Sequence, residues 1–273
     1  MAAYGTLTSP SGGLTEHACH VLLAGMGEGS GQKTGANFDR IRENVAASFK
    51  QGSNCRSVLL FRHSIRGPIP KDPRLRDVPL TPEGVALSRR YGEKVGGRWP
   101  IARVLSSPMQ RCRQTARGFC DGAGVDVSVD VDSRLGDPGP FVVQADLAWQ
   151  AYLTLGKHEL VDRLTVGDRS LRGFRSIDEG VAILLGCLFE TRGDATDRRH
   201  RAGYRLTLAF SHDIIMALLL ANLRGEVLRR SLWPEFHEGI LLTQQGDSGD
   251  VMYKGSRIAS FEGLRRSPHK DRV

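Results

Sequence analysis

The chain reads as an α/β protein layered around a largely parallel sheet. Three short apolar runs, Ser57–Phe61, Ile101–Leu105 and Tyr204–Phe210, have the length and β-branched content of buried strands. Each is followed by a segment of helical periodicity, and alternation of this kind favours parallel pairing between helical layers. A length of 273 residues, 40% hydrophobic and 25% charged, is enough for one full core.

The elements follow in order. Residues 1–36 are rich in Gly, Ser and Thr and read as a flexible N-terminal segment. Within them, Gly27–Thr34 imitates a phosphate-binding loop, but Gln32 interrupts its Gly-Lys-Thr, and a linker is the better reading. His17, Cys19 and His20 lack a fourth partner, so no metal site is expected there. Residues 37–50 place Phe38, Ile41, Val45 and Phe49 at helical spacing behind an Asn37 cap. Thr81 and Pro82 open a helix after the first strand by the cap and N1 preferences. A second helix runs from Met109 to Phe119, and a third strand falls within 125–131. The stretch 134–200 is mostly helical, with Phe141–Leu155 and Ile177–Phe189 clearest, and reads as a helical insertion. Ile214–Leu223 is an apolar helix. Gly239–Thr243 and Asp250–Tyr253 form a hairpin-like pair. The expected organisation is a main domain over 37–260 and a basic tail over 261–273.

The net charge of +8 attracts anions without choosing among them. Nucleic acid is not expected, since no recognition motif or aromatic-basic interleaving is present. No apolar run nears the ~20 residues of a membrane span. The five cysteines, Cys19, Cys55, Cys112, Cys120 and Cys187, form no CxxC pair. With no signal-like N-terminus either, a cytoplasmic setting is expected. Nothing in the sequence speaks to oligomeric state.

Three strand ends carry the chemistry. They are Phe61-Arg62-His63-Ser64-Ile65-Arg66, Ser106-Ser107-Pro108-Met109-Gln110-Arg111 and Phe210-Ser211-His212-Asp213. Ligands of open α/β sheets bind at the carboxyl ends of strands. Two histidines, three arginines and an aspartate would therefore converge, and guanidinium forks match phosphate oxygens. Singly, each residue has a structural explanation: a loop arginine is solvated, and Asp213 caps its helix. The repetition of one arrangement at three strand ends is what points to a site.

Arg62-His63 with Ile65-Arg66-Gly67-Pro68 resembles the RHGxRxP signature of the histidine phosphatase superfamily. Ser106 to Ala116 resembles its second block. Ser211-His212-Asp213, Trp233-Pro234-Glu235-Phe236 and Met252-Tyr253-Lys254-Gly255 resemble its acid phosphatase branch. The resemblance covers roughly residues 56–255. It implies a three-layer α/β/α sandwich of the phosphoglycerate mutase-like kind, with the insertion 134–200 over the pocket. It implies a phosphomonoesterase that needs no cofactor or metal, and whose partner is a small phosphorylated substrate such as a sugar phosphate or nucleotide. His63 would be the nucleophile, forming a phosphohistidine. Arg62, Arg66, Arg111 and His212 would hold the phosphoryl oxygens. Asp213 would be the general acid, with Asp137 as the alternative. A phosphomutase using the same phosphohistidine and a non-catalytic phosphate-binding protein are the competing readings. The latter draws on Ser64, which stands where the family most often has glycine and would crowd the phosphate if it faced the pocket. Arg134, Arg169, Arg172 and Arg175 are candidates for a second anionic group.

Overall fold

The computed structural model describes residues 55–95, 99, 101–190 and 205–262, and isolated helical positions between 39 and 46. The loop at 27–34, the residues around His17 and the end of the basic tail lie outside these.

The elements are β1 (Arg56–Arg62), α1 (Pro82–Val95), β2 (Ile101–Ser106), α2 (Gln110–Ala123), β3 (Val129–Val131), α3 (Ala145–Thr165), α4 (Ile177–Phe189), β4 (Arg205–Ser211), α5 (Asp213–Arg224), β5 (Gly239–Gln245), β6 (Ser248–Tyr253) and β7 (Ser256–Glu262). The seven strands form one sheet in the order β3-β2-β4-β1-β5-β6-β7. β3, β2, β4 and β1 pair in parallel. From β1 outward the pairing is antiparallel. The expectation of a mostly parallel sheet thus describes one half. In the other half, short connections such as Gly246 (φ 62°) and Lys254-Gly255 (φ 49° and 82°) turn the chain straight back.

The period of two along β1 separates two helical layers. Val58 and Leu60 face a core built with α3, α4 and α5, including Leu160, Leu184 and Leu218. Leu59 and Phe61 face the other core, with Tyr91 of α1 and Phe119 of α2. Ile41 and Val45, two of the positions expected on the apolar face of an N-terminal helix, are helical and join that second core. The result is an α/β/α sandwich.

Caps place the helices. Thr81 Oγ1 accepts from Gly84 N–H at 3.1 Å at the start of α1. Ser176 and Glu179 form a reciprocal capping box on α4. The helix expected at Phe141 starts four residues later, at Ala145. Phe141–Gln144 instead meet the Gly173–Arg175 segment through backbone bonds. α3 also breaks at Gly156 (φ 73°, ψ 166°), a conformation that favours glycine, and resumes in a new direction at Lys157.

Candidate active site

Register brings the three strand ends together. β4 lies between β1 and β2, with Arg62 opposite Ser211 and Ser106 opposite Phe210. The ladder runs one step past each strand. His63 N–H donates to Ser211 O and Ser107 N–H to Phe210 O, both at 3.0 Å. His63, Ser107 and His212 are thereby fixed side by side. The helices following β1 and β2 pack on one face and α5, following β4, on the other. A crevice opens where such connections diverge.

His63 is 1% exposed. Its Nδ1 lies 2.8 Å from Ser64 O. A carbonyl only accepts, so Nδ1 carries the proton and Nε2 keeps its lone pair. Burial, then the neighbouring His212 and Arg111, hold its pKa well below the ordinary histidine value. It is a neutral, oriented imidazole. The His212 ring stands edge-on to it, with centroids 5.4 Å apart.

His212 is also kept neutral, first by burial and then by Arg111. A guanidinium only donates, so Arg111 NH2 at 3.4 Å makes His212 Nδ1 the acceptor. Nε2–H then donates to Ser107 Oγ at 2.9 Å. Gly136 (φ 138°) makes room for this ring, because a Cβ there would lie 2.4 Å from His212 Cδ2.

Arg62, Arg66 and Arg111 each bury an Nε–H that has no acceptor among the described residues. Arg66 and Arg111 line a cavity of about 220 Å³ together with His63, His212, Asp213 and Asp137. Arg62 is adjacent but not part of the lining. Its guanidinium donates to Pro234 O at 2.8 Å, pairs with Asp213 at 3.3 Å and covers the Phe236 ring at 4.0 Å. The Trp233–Phe236 segment is thus the seat of Arg62.

The two carboxylates differ sharply. Asp213 Oδ2 meets Lys157 Nζ at 3.0 Å, Arg62 at 3.3 Å and the Trp233 indole N–H at 3.3 Å. Burial pushes its pKa up, but Arg62 and Lys157 outweigh that and hold it well below the usual carboxylate range. Asp137 has one charged partner, Arg76 at 2.5 Å, and its side chain is 34% exposed. Sequence reasoning missed both cationic partners. Arg76 belongs to the loop after β1, and Lys157 reaches the site through the break at Gly156, itself the only local sign of it.

Ser64 faces away from the cavity. Its N–H donates to Thr115 Oγ1 at 3.0 Å and its hydroxyl to Gly84 O at 2.8 Å. It ties the strand end to α1 and α2 and is not part of the cavity lining. Of the candidates for a second anion, Arg134 is bound to Asp132 and Glu190. Arg175 is bound to Pro140 O and Val142 O. Neither they nor Arg169 and Arg172 line the cavity. Cys112 lies 3.6 Å from His212, but burial pushes its thiol up to about 12, so it is no rival nucleophile.

Among the described residues no helix is long and apolar enough to cross a membrane. Solved structures with a similar fold include the mycobacterial glucosyl-3-phosphoglycerate phosphatase (19% identity, 69% of this chain and 90% of that one, TM-score 0.43). A phosphoglycerate mutase from Bacillus anthracis follows at 13% identity, 77% and 93% coverage and TM-score 0.46. A phosphoserine phosphatase mutant from Entamoeba histolytica, in complex with phosphoserine, has 15% identity, 74% and 96% coverage and TM-score 0.45. No curated protein matches the chain. Residues 72–137 match the model of the histidine phosphatase superfamily, branch 1. That segment holds Arg76, Arg111, Thr115 and Asp137. It ends before Ser211-His212-Asp213, on which the likeness to the acid phosphatase branch rested. Over that segment the chain is similar to the histidine phosphatase superfamily, branch 1.

Proposed function

We propose that the chain is a metal-independent phosphomonoesterase that hydrolyses a small phosphorylated metabolite through a phosphohistidine on His63. The observation that carries this reading is a buried, neutral imidazole with a bare Nε2 among arginines whose buried N–H groups lack acceptors.

His63 Nε2 attacks phosphorus as the bond to the leaving oxygen breaks, and that oxygen takes a proton from Asp137. Water then attacks the phosphohistidine, gives its proton to the Asp137 carboxylate, and frees His63 and phosphate. Arg66 and Arg111 hold the non-bridging oxygens, supplying the charge stabilisation phosphoryl transfer requires. His212 orients Arg111, and Arg62 adds positive charge beside the nucleophile. We assign the acid to Asp137 rather than Asp213. An acid must hold a proton near the working pH, and two cations keep Asp213 ionised. One ion pair at a partly exposed site binds Asp137 weakly. Ser64, turned from the cavity, no longer favours a non-catalytic reading.

The test is hydrolysis of p-nitrophenyl phosphate. His63→Ala should abolish it, and EDTA should leave the parent rate unchanged. Full activity in His63→Ala would remove the nucleophile, and loss in EDTA the metal-free claim.

A further inference from the structure

We propose that the substrate is a monoester of an aryl or alkyl alcohol carrying no second anionic group; this rests on the phosphomonoesterase reading above and narrows it. Two features of the cavity lead there.

The first is its apolar wall. Beside the polar residues, Ile69, Met109, Phe141, Trp149, Tyr152 and Ile215 line the same cavity. Trp149 and Tyr152 lie one turn apart on α3 and stack with centroids 5.2 Å apart and planes at 18°. Trp149 Nε1–H donates to Lys71 O at 3.3 Å, which ties the loop after β1 to that helix. The indole's donor is thus used, and the rings offer the cavity apolar surface. A sugar or glycerate hydroxyl set against this wall would lose water without gaining partners.

The second is the state of the cations. Four line the cavity among the described residues. Arg66 and Arg111 are needed for the phosphoryl group. Lys157 is bound to Asp213 and Arg76 to Asp137. While Asp137 is ionised, each lining cation outside the phosphoryl position already has a carboxylate partner. A substrate bearing a second anion would compete with Asp213 for Lys157 or with Asp137 for Arg76.

The experiment compares kcat/KM for 2-phenylethyl phosphate, glycerol 3-phosphate and 3-phosphoglycerate, whose alcohol leaving groups keep the chemical step comparable. p-Nitrophenyl phosphate serves as the activity control. The phenylethyl ester should exceed both others by roughly tenfold or more, the discrimination an apolar pocket gives an apolar group. Trp149→Ser should shrink that ratio at least threefold, chiefly through KM. If p-nitrophenyl phosphate is hydrolysed while 3-phosphoglycerate or glycerol 3-phosphate matches the phenylethyl ester, the substrate class is wrong and the phosphatase reading stands. If the ratio survives Trp149→Ser, the wall is not its source and the inference is overturned. If no ester is hydrolysed, both readings fall together.

Discussion

Asp213→Asn separates two roles that a carboxylate beside the proposed nucleophile can have. Asparagine keeps the volume and one acceptor, so the packing of Trp233 is little changed. What goes is the charge facing Arg62 and Lys157. Removing one partner of a buried pair costs about 3–5 kcal/mol. Lys157 is 34% exposed, and its share is discounted for solvent screening, while Arg62 is 6% exposed and stays buried. The low end, about 3 kcal/mol, is therefore expected. At about 2–4 °C per kcal/mol for a chain of this size, Tm should fall by roughly 6–12 °C. Loosening Arg62 beside His63 should slow p-nitrophenyl and alkyl esters by similar factors. Asp137→Asn should do the opposite. It should leave Tm within a few degrees and slow alkyl esters, whose leaving oxygen needs a proton, far more than the activated ester, by about 10²–10⁴ in rate. The assays are thermal unfolding and kcat over a series of leaving groups. An unshifted Tm in Asp213→Asn, with selective loss on alkyl esters, would refute the assignment and return the acid role to Asp213.

Two further outcomes follow from the buried polar groups. Ser64→Ala should cost about 1 kcal/mol in urea unfolding. Gly84 O keeps a second donor, Ser88 Oγ at 2.9 Å, so no acceptor is orphaned, and kcat/KM should stay within threefold. The second concerns acid. His63 and His212 have pKa values well below the ordinary value, and burial takes His237 down to about 3. Below the unfolded value near ~6.5, the unfolded chain binds protons the folded one refuses, so stability is full above that pH and falls as pH drops through the window beneath it. His237 should withdraw about 2 kcal/mol between pH 7 and 5, and His63 and His212 act in the same direction. Asp213, depressed in the folded state, adds its own loss only below pH ~4. Equal urea midpoints at pH 7 and 5 would contradict the burial of these rings.

The sequence made the strand ends legible because their signals are local. An apolar run followed by Arg-His or Ser-His-Asp can be read without knowing what lies opposite. Partners were not legible, because they depend on where distant backbone turns. Lys157 reaches Asp213 through one positive-φ glycine, and nothing in Leu155-Gly156-Lys157 names its target. The same limit explains the carboxylates. The resemblance places the acid on Asp213 or Asp137, and the charge state of Asp213 is set by two cations 56 and 151 positions away that the local sequence does not name. Strand direction was hidden too. Parallel and antiparallel strands share one alternation, and β7, with its mix of Ser, Arg and Ile, lacked the apolar run that marks a buried strand.

The site divides along the same line. His63, Ser107 and His212 follow the ends of three strands, and the ladder continues into the N–H groups of His63 and Ser107, the former bonded to the carbonyl of Ser211 next to His212. Displacing His63 or Ser107 means breaking sheet hydrogen bonds, so their placement is as rigid as the sheet. The opposite wall, with Trp149, Tyr152 and Lys157, hangs on α3, which is interrupted at Gly156 and joined to the loop after β1 by a single indole bond. Changes there reshape what the cavity accepts without touching the register that positions His63. Below the break, Leu160 and Leu164 of α3 pack into the core with Leu60 and Leu218, and at the cavity the Lys157–Asp213 pair links the two parts. A carboxylate that stays charged suits that link better than one that must gain and lose a proton in each turnover, because the ion pair would weaken whenever the proton arrived. Under the proposed mechanism the proton passes through Asp137 instead, which leaves the Lys157–Asp213 pair charged throughout.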